Sequence, residues 1–125
     1  MHRGGKVDFD KLRSKQISYS DSKLYINMLT MAAAKRWPDI LVNAVDPGWV
    51  PTKMGGKNAT GDLDKGYETQ CWLATSEDAK ASISGGYWYH QQQQEPHVDS
   101  LNEDFQKQFI RICEELTQVK WSLAG

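Results

Sequence analysis

Apolar positions are unevenly distributed along the 125 residues. Residues 1–18 are polar, with Gly4-Gly5 and only Val7, Phe9, Leu12 and Ile17 to bury. This segment reads as a leading loop in which Asp8 or Asp10 caps a short turn. From about Ser20 to Trp37 the chain becomes almost wholly apolar, through Leu24, Tyr25, Ile26, Met28, Leu29, Met31 and Ala32-Ala33-Ala34. That density predicts a helix buried on more than one side. Ser18 is its expected N-cap, Asp21 complements the dipole in the first turn, and Pro38 stops it. Tyr19, Lys23 and Asn27 follow one another at helical spacing and form its polar stripe. Taken alone, that stripe reads as a solvated edge.

Ile40 to Val45 is an apolar run broken only by Asn43, the pattern of a strand covered on both faces in a parallel sheet. Asp46 to Thr52 then lies at the strand's carboxyl end, where open α/β sheets bind ligands. Lys53 to Gly61 reads as a mobile loop, and its Gly55-Gly56-Lys57 matches no phosphate-binding pattern. Asp62 or Asp64 is expected to cap a helix running to about Thr75, with Leu63, Tyr67, Cys71, Trp72 and Ala74 on its buried face. Gly85 to Tyr89 reads as a short aromatic strand. Residues 91–99, with four consecutive glutamines and Pro96, read as a surface loop. Ser100 with Glu103 predicts a capping box for a last helix, about Leu101 to Val119, whose stripe is Leu101, Phe105, Phe109, Ile112 and Leu116. Residues after Trp121 read as a frayed end. The expected organisation is one α/β domain: leading loop 1–18, core 19–90, loop 91–99 and C-terminal helix 100–121.

Bulk properties exclude more than they identify. A net charge of -1 gives no field favouring nucleic acid or an anionic membrane. No apolar run approaches the roughly 20 residues that span a bilayer, and the first residues lack a signal-peptide pattern, so a cytoplasmic address is expected. Cys71 and Cys113 form no Cys-x-x-Cys and read as two buried thiols. His90 and His97 have no third ligand grouped with them, so no metal site is expected.

The chemistry concentrates between Tyr19 and Thr52. A tyrosine and a lysine one helical turn apart share a face. A nearby ammonium favours the phenolate, which suits the pair to moving a proton. Pro47-Gly48 permits a sharp turn and close approach of bare backbone to a ligand, and Thr52 adds a hydroxyl.

Tyr19-Ser20-Asp21-Ser22-Lys23, the helix and strand after it, and Asn43-Ala44-Val45-Asp46-Pro47-Gly48 with Val50-Pro51-Thr52 together resemble a short-chain dehydrogenase/reductase. Both family motifs, Tyr-x-x-x-Lys and Pro-Gly-x-Val-x-Thr, are matched without a gap. The resemblance covers most of residues 17 to 90 and only the second half of the family's domain. It implies a partial Rossmann-like fold, the C-terminal part of a doubly wound parallel sheet, with two parallel strands, a long motif-bearing helix and a C-terminal helix. It implies an NAD- or NADP-dependent interconversion of an alcohol and a ketone or aldehyde, on a small lipophilic molecule such as retinol-like branches use. Tyr19 and Lys23 would be catalytic. Tyr19, Lys23, Pro47, Gly48, Val50 and Thr52 would touch the cofactor. The family's Gly-rich turn is absent from these residues. Ser14 and Ser18 lie too close to Tyr19 to be its catalytic serine. The chain alone is therefore expected to be inactive. Its core would be completed either by the missing half or by self-association through the 20–37 helix. The alternative function is a non-catalytic oligomerisation module.

Overall fold

A computed structural model describes residues 1–121 of the chain. Four α-helices and three strands are present among them: α1 (Phe9–Arg13), α2 (Tyr19–Arg36), β1 (Ala44–Asp46), α3 (Lys65–Thr75), β2 (Tyr87–Tyr89), β3 (Gln92–Gln94) and α4 (Glu103–Thr117). The fold is α/β, with a small mixed sheet in a partial Rossmann-like arrangement. The expected frayed end after Trp121 lies outside the described residues. The chain divides into two compact units, one formed by Met1–Ala33 with the segment from Pro96, the other by Ala34–Glu95.

In the first unit the apolar residues of the leading segment find partners. Val7, Phe9, Leu12 and Ile17 pack with Leu29, Phe105 and Cys113 around the buried trio Tyr25, Met28 and Phe109. Tyr25 stacks on Phe109 at 4.9 Å between ring centroids, and Phe9 meets Phe105 edge-on at 5.9 Å. The leading segment is therefore more than a loop. The Asp8 side chain accepts from the Lys11 N–H and caps α1, and the Asp8 N–H donates to the Tyr25 hydroxyl at 3.1 Å.

The start of α4 also differs from expectation. Its N-cap is Asn102, whose Oδ1 accepts from the Phe105 N–H, while the Ser100 hydroxyl donates to the His97 carbonyl inside a preceding 3₁₀ turn. A side chain one residue before the first helical position is well placed to reach the free N–H groups, and Asn102 lies there. On α4 itself Phe109 and Ile112 are buried, whereas Leu101 and Leu116 at the ends of the predicted stripe are exposed.

The second unit carries the sheet, in order β1-β2-β3. β1 and β2 run parallel, as the two-strand prediction requires, with Ala44 opposite Tyr87 and Asp46 opposite Tyr89. β3 adds antiparallel to β2 and falls in the stretch expected to be loop. The connection is a two-residue turn at His90 and Gln91, with φ of 48° and 61°. Left-handed backbone at both positions matches the strand twist and closes a tight hairpin. The regular part of β1 is shorter than the apolar run, and Ile40 and Leu41 are exposed. Among the described residues β1 has one neighbouring strand.

Helix α3 presents a different face from the one its apolar residues predict. Leu63, Tyr67 and Cys71 are exposed, and Thr69 is buried. Thr69 Oγ1 accepts from the Gln91 N–H at the hairpin, and Trp72 packs edge-on against Trp88 at 5.5 Å. A Cβ on Gly66 would sit 2.8 Å from Val50 Cγ1, so the bare glycine lets the helix approach along this face. Of the two candidate caps, Asp64 holds the N-cap position, but it is the Asp62 side chain that accepts from backbone, the Asp64 and Lys65 N–H groups.

Candidate functional site

Tyr19 is the first residue of α2, held by a reciprocal cap. Ser18 Oγ accepts from the Asp21 N–H at 3.1 Å, and Asp21 Oδ2 accepts from the Ser18 N–H at 2.9 Å. Its other oxygen accepts from the Lys6 N–H. These backbone N–H groups hold the Asp21 carboxyl below the usual carboxylate range. The cap fixes the first turn and hence the bearing of Tyr19. The phenol is 63% exposed. Lys23 Nζ lies 5.3 Å from the centroid of the Tyr19 ring, and the Tyr19 hydroxyl donates to Met1 Sδ at 3.2 Å, a weak acceptor. Asn27, one turn beyond Lys23, is only 4% exposed, and its Oδ1 is buried with no hydrogen-bond partner. The stripe is therefore not a uniformly solvated edge.

In the second unit, Asp46 to Thr52 leave the carboxyl end of β1. Asp46 Oδ1 accepts from the Gly48 N–H at 2.9 Å, an Asx turn around Pro47. Asp46 Oδ2 accepts from the Tyr87 hydroxyl at 3.1 Å. Gly48 has φ of +82°, and atoms of Tyr89 and His90 stand 3.7–3.9 Å from where its Cβ would be. The His90 ring leans on Tyr89 at 3.8 Å between centroids, and its Nδ1 is buried without a hydrogen-bond partner. Thr52 is exposed, and its Oγ1 accepts from the Gly55 N–H at 3.1 Å.

The glycine-rich loop after Thr52 is tied down rather than free. Trp49 donates its indole N–H to the Gly55 carbonyl, and its own carbonyl accepts from the Gly61 N–H at 2.7 Å. Both ends of the loop are thereby latched to one residue.

The structure thus brings Tyr19 and Lys23 together in the first unit, and Pro47, Gly48, Val50 and Thr52 together in the second. Sequence reasoning assigned no individual role to Asp46 or Tyr87 and weighed His90 only as a metal ligand. Asp-Pro-Gly is itself a turn signature that points to Asp46. Tyr87 and His90 come beside the turn only through the parallel register of β1 and β2. Among the described residues there is no cluster of three metal-ligating side chains, and no helix is long and apolar enough to cross a membrane.

No family model and no solved structure matches the chain. Two curated proteins, a short-chain dehydrogenase of Gibberella zeae and another of Penicillium rubens, are each 38% identical to it over 104 residues, 82% of this chain. The chain belongs to the short-chain dehydrogenase/reductase family. It spans 40% of the length of those two relatives. A third, carbonyl reductase (NADPH) 1 of Oryctolagus cuniculus, is 40% identical over 63 residues, 46% of this chain and 23% of its own. Members of the short-chain dehydrogenase/reductase family use a nicotinamide cofactor, and the rabbit protein is named for the reduced form of one.

Proposed function

We propose that Tyr19 and Lys23 are the proton-handling pair of an NAD- or NADP-dependent oxidoreductase that interconverts an alcohol and a carbonyl compound. Pro47, Gly48, Val50 and Thr52 hold the cofactor near its nicotinamide end. The observation that carries this reading is the Lys23 ammonium beside the ring of an exposed Tyr19. Cofactor of this class supplies or accepts a hydride when bound. Tyr19 Oη donates its proton to the carbonyl oxygen as the alcohol forms, and takes it back in the reverse direction. Lys23 stabilises the phenolate left behind. The thioether that now accepts from Tyr19 is a weak partner, easily displaced by a substrate oxygen. The residues around Gly48 fit a planar amide-bearing ring: bare backbone at a strand's carboxyl end and a buried imidazole nitrogen with no partner. Exposed Trp49 and Met54 favour a lipophilic substrate.

These 125 residues contain no Gly-rich dinucleotide turn, so the polypeptide alone is expected to bind whole dinucleotide weakly. The reading is tested by fusing the chain to the part of the Gibberella relative that it does not match. The fusion is expected to reduce carbonyl compounds with NADH or NADPH. Tyr19→Phe should lower the rate by about 10² or more, within the usual contribution of a general acid, and leave the circular dichroism spectrum unchanged. A Tyr19→Phe fusion with full activity would sink the assignment.

The oligomerisation reading has one observation in its favour, Ile26 exposed midway along α2. Leu24, Tyr25, Met28, Met31, Ala32 and Ala33 of the same helix are already buried without a second copy. A solution dimer dispersed by Ile26→Glu and indifferent to Tyr19→Phe would support it.

A further inference from the structure

We propose that Asp46 and Tyr87 are positioning residues, which set the shape of the Pro47–Gly48 turn and through it the seat of the nicotinamide end of the cofactor. The inference rests on the role given above to that turn. Asp46 is the last residue of β1, and each of its carboxylate oxygens is engaged by a different element. Oδ1 takes the Gly48 N–H from the turn, and Oδ2 takes the Tyr87 hydroxyl from β2. The register makes the second contact possible. Asp46 is paired with Tyr89, so Tyr87, two positions earlier on β2, points to the same face of the sheet as Asp46. Tyr87 is buried, which fixes where its hydroxyl stands.

A carboxylate held at both oxygens has one orientation, and that orientation decides where the Gly48 N–H must lie. Without it Gly48 has little to restrict it, because a glycine reaches both halves of φ space at similar cost. Tyr89 and His90 wall the turn by packing alone, at 3.7–3.9 Å from the absent Cβ. They limit its travel without fixing its hydrogen bonds. The Gly48 N–H is also occupied by Asp46, so the turn meets a ligand with its carbonyls and open Cα, and Asp46 is not itself a ligand-contacting group.

The test uses the ¹⁵N-labelled 125-residue chain, followed by amide NMR and hydrogen exchange at Gly48, with Val45 and Trp88 as folding controls. Asp46→Ala removes both bonds. Asp46→Asn keeps an acceptor for the Gly48 N–H. Tyr87→Phe keeps the ring and removes the anchor. Exchange at Gly48 is expected to quicken about tenfold in Asp46→Ala, the equivalent of one lost hydrogen bond. It should quicken about twofold to threefold in Tyr87→Phe, as the carboxylate gains freedom, and return close to the parent rate in Asp46→Asn. Should Asp46→Ala fail to fold, Tyr87→Phe and Asp46→Asn carry the comparison. Unchanged Gly48 exchange and shift in both Asp46→Ala and Tyr87→Phe, or in Tyr87→Phe alone where Asp46→Ala is unfolded, would overturn the proposal.

Nicotinamide mononucleotide is then titrated into each form. The parent is expected to shift at Gly48, Asp46→Ala to bind at least about threefold more weakly, and Asp46→Asn to recover. If exchange responds as expected but the mononucleotide moves no resonance in the parent, the role given to the turn fails while the clamp stands. If the mononucleotide binds every form equally, the positioning role fails while the turn's role stands.

Discussion

At Gly48 the backbone and not the available space forbids a side chain. A methyl group there would meet Tyr89 and His90 at ordinary contact distances, but φ is +82°. Gly48→Ala is therefore expected to cost about 1–2 kcal/mol, the usual penalty of left-handed backbone for an L-residue, read as a lowered urea midpoint with an unchanged slope. Tyr19→Phe should leave that midpoint where it is, since the phenol is largely exposed and bonded only to a thioether. The closeness of Tyr19 and Lys23 was legible in the sequence. Tyr19 and Lys23 are close because one helical turn separates them. Asp46 and Tyr87 were not legible together, because their meeting is fixed by sheet register rather than by distance along the chain. Asn27 was misjudged for a similar reason: its helix position placed it on the polar stripe, and only the packed structure buries it.

Among the elements, α2 was the most legible, because an almost wholly apolar run between a cap and a proline leaves few alternatives. Its predicted cap, Ser18, is reciprocated by Asp21, whose carboxyl is held below its ordinary value by backbone N–H groups. A carboxyl with a lowered native pKa binds protons less readily than in the unfolded chain. Its contribution to stability is therefore present above the ordinary carboxylate range and lost as pH falls through it. Thermal midpoints measured on descending through that range should fall less in Asp21→Asn than in the parent chain. Helix α4 is capped by Asn102, so Asn102→Ala, which leaves the Phe105 N–H without its acceptor, should cost about 1 kcal/mol, read as a lowered urea midpoint. Of the face predicted for α3, Trp72 packs inward as expected, but Leu63, Tyr67 and Cys71 were misread because the inward side otherwise uses a glycine and a hydrogen-bonded threonine. In the core of the first unit, Ile112→Ala is expected to destabilise by about 2–5 kcal/mol in urea unfolding, as for other fully buried aliphatic residues.

At the scale of the whole molecule, α/β class followed from the alternation of helical and apolar-strand patterns, and the two parallel strands from the resemblance to the family. The third strand did not, since a run of glutamines carries no strand pattern and pairs here because a two-residue turn folds it back on β2. Family membership rests on the two motifs and on relatives more than twice as long as the match. The residues of this chain are proposed to serve the nicotinamide half of a dinucleotide. A residue-resolved NMR titration of the 125-residue chain with nicotinamide mononucleotide, and separately with adenosine monophosphate, tests that role. The first is expected to perturb Tyr19, Lys23, Gly48, Val50 and Thr52, and the second none of them. Equal effects of the two nucleotides on those residues, or shifts confined to other residues, would contradict it.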